Sequence, residues 1–166
     1  GGRVWSVIPW TSFPSKSTET LDYTTRQTGR MDPGRARRFV ETHHRAVLAT
    51  RTPSGGVQQS PVLVAVDDAG RFCVSSRETA YKTRNLRADP WAQLCVFPDA
   101  FFGTWYSVEG TTEVVSLPDA MEPLVDYYRR AAGEHDDWDA YRADMEREQR
   151  VLLRITAERA GPDRQG

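Results

Sequence analysis

The spacing of apolar positions changes period along the chain. Ala36, Phe39, Val40 and His43 recur at i, i+3, i+4, i+7, one face of a helix, and Asp32-Pro33 ahead of them supplies a capping carboxylate and a first-turn proline. The pattern then becomes that of strands. Ala46 to Thr52, Val57 to Val66 and Arg71 to Ser76 are separated by Pro53-Ser54-Gly55-Gly56 and by Asp67-Asp68-Ala69-Gly70, both turn chemistry. Pro61 lacks a ladder donor and marks its strand as an edge or a bulge. A short basic helix, Ala80 to Arg87, stops at Asp89-Pro90. Trp91 to Phe97 and Trp105 to Leu117 form the fourth and fifth strands. Pro118-Asp119 predicts a capped helix that runs to Ala132 and is closed by Gly133. A second helix, Trp138 to Gln149, is capped by Asp136 or Asp137, and Val151 to Ile155 is the sixth strand.

Consecutive strands with tight turns, interrupted or followed by helices, predict a mainly β, α+β fold: a closed, six-stranded antiparallel barrel with peripheral helices. A doubly wound parallel sheet would alternate helices with strands. Residues 31–158 form this single domain. Residues 1–30, ten of them Ser or Thr and with no sustained apolar period, are an irregular arm or an appended extension, and residues 159–166 are a flexible tail. Trp5 and Trp10 point to docking of the arm onto the body or onto a second subunit.

Composition narrows the class. The 166 residues carry 22 basic and 23 acidic side chains, a net charge of −1, which argues against a mainly electrostatic nucleic-acid binder. No apolar run approaches the ~18 residues of a spanning helix, so no membrane partner is expected. Cys73 and Cys95 sit in Phe72-Cys-Val74 and Leu94-Cys-Val96 contexts and read as small core residues of a cytoplasmic protein.

The chemistry-bearing stretch is Ser75-Ser76-Arg77-Glu78-Thr79-Ala80-Tyr81-Lys82-Thr83-Arg84-Asn85-Leu86-Arg87. Two hydroxyls end a strand, and Lys82, Thr83, Arg84 and Arg87 crowd the first turns of a helix, where free amides and the helix dipole favour an anion. Two readings stand: a phosphate seat, or a solvated basic helix face. Phe101, Phe102, Trp105 and Tyr106 around Gly103 either cover a flat substrate or belong to a barrel or dimer core. His43 and His44 point to different faces of their helix, and His135 lies in a turn, so structural roles suit all three. There is no Gly-rich strand-to-helix turn, no nucleophile triad and no metal spacing.

Three blocks carry a resemblance: Lys82 through Pro90, Trp105 through Gly110, and Tyr128-Arg129-Arg130-Ala131-Ala132-Gly133-Glu134-His135-Asp136-Asp137-Trp138 through Arg142 followed by Arg150-Val151-Leu152-Leu153. They resemble the actinobacterial split-barrel flavin/deazaflavin oxidoreductases of the pyridoxamine 5'-phosphate oxidase-like superfamily, over about Pro33 to Ile155. The last block is similar to that of the subgroup using the deazaflavin coenzyme F420. The resemblance implies an FMN-binding type of split barrel that forms a homodimer, binds F420 or alternatively FMN, and passes a hydride between the reduced ring and a small conjugated acceptor. It places the phosphate end on Lys82 and Thr83 with Ser75 and Ser76 beneath. The ring lies along Gln58, Gln59, Ser60, Pro61 and Val62, and Trp105 walls the groove from the partner subunit. Pro61 departs from the family's commoner polar residue and removes a backbone donor to the ring.

Overall fold

One bent strand closes the sheet. A computed structural model of the chain describes residues 32–161 and the backbone of 164–165. Its elements are α1 (Pro33–Val40), β1 (Arg45–Arg51), β2 (Val57–Leu63), β3 (Ala65–Val66), β4 (Phe72–Arg77), α2 (Tyr81–Ala88), β5 (Trp91–Phe97), β6 (Thr104–Ser116), α3 (Met121–Ala132), α4 (Trp138–Arg147), β7 (Arg150–Ala160) and β8 (Arg164–Gln165). The sheet order is β2-β1-β5-β6-β7-β4-β3, every pair antiparallel, with β8 against β6. Only Val64 separates β2 from β3, so the two ends of the sheet are one stretch of chain and the sheet rolls back on itself. The six expected strands are all present; the second counts twice because it leaves β1 for β4 at Val64, and β8 is added. The expected arm, with Trp5 and Trp10, lies outside the described residues. β7 runs to Ala160, two residues into the expected tail.

Inside the roll, Leu48, Val64, Phe72, Val74, Leu94, Val96, Val108, Leu153 and Ile155 make the main core, with Ala36 and Val40 of α1 packed on it. A second cluster, Leu124, Val125, Tyr141, Met145, Leu152 and Cys73, fixes α3 and α4 to the outside of β4 and β7. Several cap signals act as expected: Asp32 accepts from the Gly34 amide (2.8 Å), Asp137 accepts from the Ala140 amide (2.9 Å), and Gly133 ends α3 at φ 88°. Asp119 does not cap. The cap position of α3 is Ala120, which offers no side-chain acceptor. The first helix also ends at Val40, so His43 and His44 lie beyond it: His43 stacks on Phe39 at 4.1 Å, and His44 Nδ1 bonds the Val64 carbonyl (3.0 Å) at the strand's bend. Cys73 is in the core, but Cys95 is exposed, because Leu94 and Val96 take the inward positions of β5 and the residue between them must face out.

Gly110 sits at the irregularity where β6 shifts register against β7. A Cβ there would meet the Thr156 carbonyl oxygen at 2.0 Å, and backbone cannot swing aside as a side chain can. Gly110→Ala is therefore expected to cost about 1–3 kcal/mol or more, the range of overpacking, read as a lower denaturation midpoint at unchanged slope.

Candidate functional site

Hydrogen-bond parity identifies an open backbone edge. In an antiparallel ladder, alternate residues turn both N–H and C=O toward the partner, and the others turn both away. Val64 N–H bonds His44 C=O (2.8 Å) and Thr52 N–H bonds Gly56 C=O (2.9 Å), so Gln58, Ser60 and Val62 address β1 while Gln59, Pro61 and Leu63 turn away from it. By the same rule, Glu78 N–H on Gln149 C=O (2.9 Å) sets even-numbered β4 residues toward β7 and turns Ser75 and Arg77 outward. β3 pairs with β4 only at Ala65↔Cys73 and Val66↔Phe72. Beyond that pair the strands part. The free edges of β2 and β4 then face each other across a split, and α2 packs against both.

Two of the open edge's carbonyls are already taken. Gln58 Nε2 donates to Gln59 C=O (3.0 Å), and the Tyr127 hydroxyl of α3 donates to Leu63 C=O (3.0 Å). Between Gln59 and Leu63, what remains without a partner among the described residues is, in order, the Gln59 N–H, the Pro61 C=O and the Leu63 N–H: donor, acceptor, donor. The donor that Pro61 lacks would have lain on this edge, so its substitution shapes the edge itself. Side chains divide the other way: Gln59 and Pro61 are exposed, whereas Val62 packs on the core and Ser60 Oγ is buried without a partner.

The far end of the split is cationic. Lys82, at the first turn of α2, is half-buried, and its pKa is lowered by burial first and then by the Arg150 and Arg77 charges. Glu148 answers the two arginines, at 3.1 Å from Arg77 Nη2 and 2.7 Å from Arg150 Nη2, and is pulled low by them. Three cations against one carboxylate leave an excess positive charge beside a helix N-terminus. The rest of the expected basic cluster is elsewhere. Arg87 is forked onto Glu78 (2.7 and 2.8 Å), and Arg84 lies over the Tyr81 ring at 4.6 Å. Thr83 is fully buried, its hydroxyl on Arg77 C=O (2.7 Å) and Ser76 Oγ (2.9 Å), so Ser76 and Thr83 form a strut that ties α2 to β4 beneath Lys82. A second strut, Asn85 Nδ2 to Thr50 Oγ1 (3.1 Å) and on to Gln58 Oε1 (3.3 Å), ties α2 to β1 and β2.

Trp105 stands apart from this groove, on β6, with β1 and β5 between it and β2. Phe101 and Phe102 are 67% and 73% exposed and so belong to no core of this subunit. Tyr127 escaped the sequence reading, because its position in an amphipathic helix carried no chemical signal, and Arg150 entered it only as part of a resembling block, with no role at the site. A separate cavity of about 390 Å³ lies behind Tyr127, between the β3–β4 turn and α3, lined by Ala65, Cys73, Arg71, Arg130 and Arg154 among others. None of the residues expected to hold a cofactor lines it. Among the described residues no cluster of His, Cys, Asp or Glu could hold a metal ion, and no helix is long and apolar enough to cross a membrane.

A sheet that closes through a bent strand yet stays open between β2 and β4 is a split barrel. The family model for pyridoxamine 5'-phosphate oxidase matches residues 33–162, and the chain belongs to that family. Among solved structures, a conserved hypothetical protein from Mycobacterium tuberculosis is 27% identical, over 82% of this chain and 88% of that one, at a TM-score of 0.66. An F420 reductase is 22% identical over 74% and 92% (TM-score 0.58). A pyridoxamine 5'-phosphate oxidase-related, FMN binding protein from Nostoc punctiforme is 12% identical over 77% and 78% (TM-score 0.50). The last two share the fold.

The cation at the first turn of α2 makes a pH-dependent prediction. A lysine whose folded pKa is lowered loses its charge below the usual value of about 10.4, so affinity for phosphate falls as pH rises through that lowered pKa, earlier than an ordinary lysine would allow. Lys82→Ala should weaken binding of a phosphate-bearing cofactor by about 1–3 kcal/mol and flatten that alkaline limb, measured by calorimetric titration across pH.

Proposed function

We propose that the chain is an F420-dependent oxidoreductase that passes a hydride between the deazaflavin and a small conjugated acceptor. The observation that carries the reading is the two-ended groove: an open edge offering donor, acceptor and donor, and, at the other end of the split, an under-neutralised cation at a helix N-terminus. The pyrimidine edge shared by flavin and deazaflavin rings reads carbonyl, N–H, carbonyl, and its N–H and one carbonyl suit the neighbouring Pro61 C=O and Leu63 N–H, while both cofactors carry a phosphate suited to Lys82, Arg77 and Arg150. The resemblance of the Gly133–Trp138 block and the fold shared with an F420 reductase favour the deazaflavin. When bound, the reduced ring supplies the hydride; a proton from water completes reduction of the acceptor. The protein's part is to bind, orient and exclude water.

FMN is the second reading, favoured by the shared fold with an FMN binding protein. Titration of the purified chain with each cofactor separates them: F420 binding tighter than FMN is expected, and tight FMN binding with none of F420 would replace the coenzyme. A carrier without catalysis would bind the ring but never reoxidise it against quinones, enones or tetrapyrroles.

The working unit in this proposal is a homodimer. One face of the sheet carries Val57, Pro61 and Leu63 of β2, Val47 of β1, Cys95 and Phe97 of β5 and Trp105 of β6, with Phe101 and Phe102 at its end. Polar residues of the same face, Arg45, Arg51, Gln59 and Gln93, lie among them; such a mixed exterior with exposed apolar side chains is suited to a second copy, and a second copy would bring its own Trp105 to a groove that this subunit's Trp105 does not reach. Cys95→Arg, in the middle of that face, is expected to convert a dimer to a monomer in light scattering; a dimer that persists unchanged would move the interface elsewhere.

A further inference from the structure

The split begins at a side chain. The β3–β4 ladder pairs Ala65 with Cys73, and the next position of the same parity would pair Leu63 with Ser75, closing with Ser75 N–H on Leu63 C=O. That bond is missing from the sheet. In its place stands the Tyr127 hydroxyl, which donates to Leu63 C=O at 3.0 Å and takes a hydrogen bond from the Ser75 backbone. Burial pushes this phenol up to about 12, so it remains a protonated donor throughout the working range. The ring packs with the α3–α4 cluster, and α3 is held over the β3–β4 turn by Arg130, bonded to Asp126 (2.7 Å), Asp68 (2.7 Å) and Val66 C=O (3.1 Å).

We infer that Tyr127 is a positioning residue: its hydroxyl replaces one rung of the ladder, wedges β2 from β4, and so leaves Leu63 N–H and Ser75 C=O unpaired for the ring end of a ligand. One hydroxyl satisfies one donor and one acceptor, and a full rung would satisfy two of each. The unspent pair faces the split. This role rests on the cofactor reading above, in that the ligand is the ring bound along β2, but the wedge itself is a property of the free protein.

Two variants test it. Tyr127→Phe keeps the ring and removes the hydroxyl, and Tyr127→Met fills the same space should the first not fold. Amide exchange followed by NMR is expected to show loss of protection at Ser75 alone, while Val74 and Ser76, bonded to β7, exchange as in the wild-type chain. Affinity for the phosphate-free deazaflavin chromophore should fall roughly ten-fold, the scale of one buried hydrogen-bond partner, with affinity for inorganic phosphate unchanged. Unchanged protection at both Ser75 and Leu63 overturns the wedge, since closure of the missing rung would newly protect the Leu63 amide, and an equal fall in ring and phosphate affinity overturns the positioning role in favour of general loss of structure. If the wild-type chain binds neither ring nor phosphate, the cofactor reading fails and Ser75 exchange alone decides the wedge.

Discussion

The structure depends on one strand having two partners. Residues 57–63 pair with β1, the same stretch of chain meets β4 only at Ala65 and Val66, and the candidate site lies where the second partner is withheld. Buried backbone groups must be paired, and a barrel ordinarily meets that demand by closing every edge. Here closure stops early, and side chains take over selectively: Tyr127 and Gln58 satisfy carbonyls, while the N–H groups of Gln59 and Leu63 stay open. An edge half satisfied in this manner cannot zip up with β4, yet it keeps a defined set of donors and acceptors.

The same economy governs charge. Most surface ions are answered locally, as Arg87 is by Glu78 and Arg142 by Glu122, and each such exposed pair adds little to stability. Lys82 differs, because only other cations and burial perturb it. For a cation with a lowered folded pKa, the folded state holds its proton less tightly than the unfolded chain does. The charged form at neutral pH is thus a cost of folding that a bound anion would offset. The struts Thr83–Ser76 and Asn85–Thr50–Gln58 hold α2 where that cost is incurred.

Much of this was legible in the sequence. The strands along the chain, the turns, the cap at Asp32, the cap at Asp136 or Asp137, of which the structure uses Asp137, and the edge character implied by Pro61 follow from local chemistry, which tertiary packing left in force. The signals that misled were those in which two local cues competed or packing chose between them. Asp119 lies outside the cap position of α3, Cys95 shares an apolar neighbourhood with Cys73 but has the opposite parity, and Arg84 and Arg87 found aromatic and acidic partners remote in sequence or on their own helix face. Tyr127 was invisible for a stronger reason: its role exists only because α3 crosses the β3–β4 turn, and it bonds groups 52 and 64 positions away along the chain.

The central claim is that the split, with its open edge on β2 and its cation on α2, is where the cofactor binds. Amide-resolved NMR of the isotopically labelled chain during titration with F420 or FMN tests it most directly. The account predicts that the Gln59 and Leu63 amides shift together with those of Lys82 and Thr83. Shifts confined to the cavity around Arg71, Arg130 and Arg154, with the β2 edge unmoved, would contradict it.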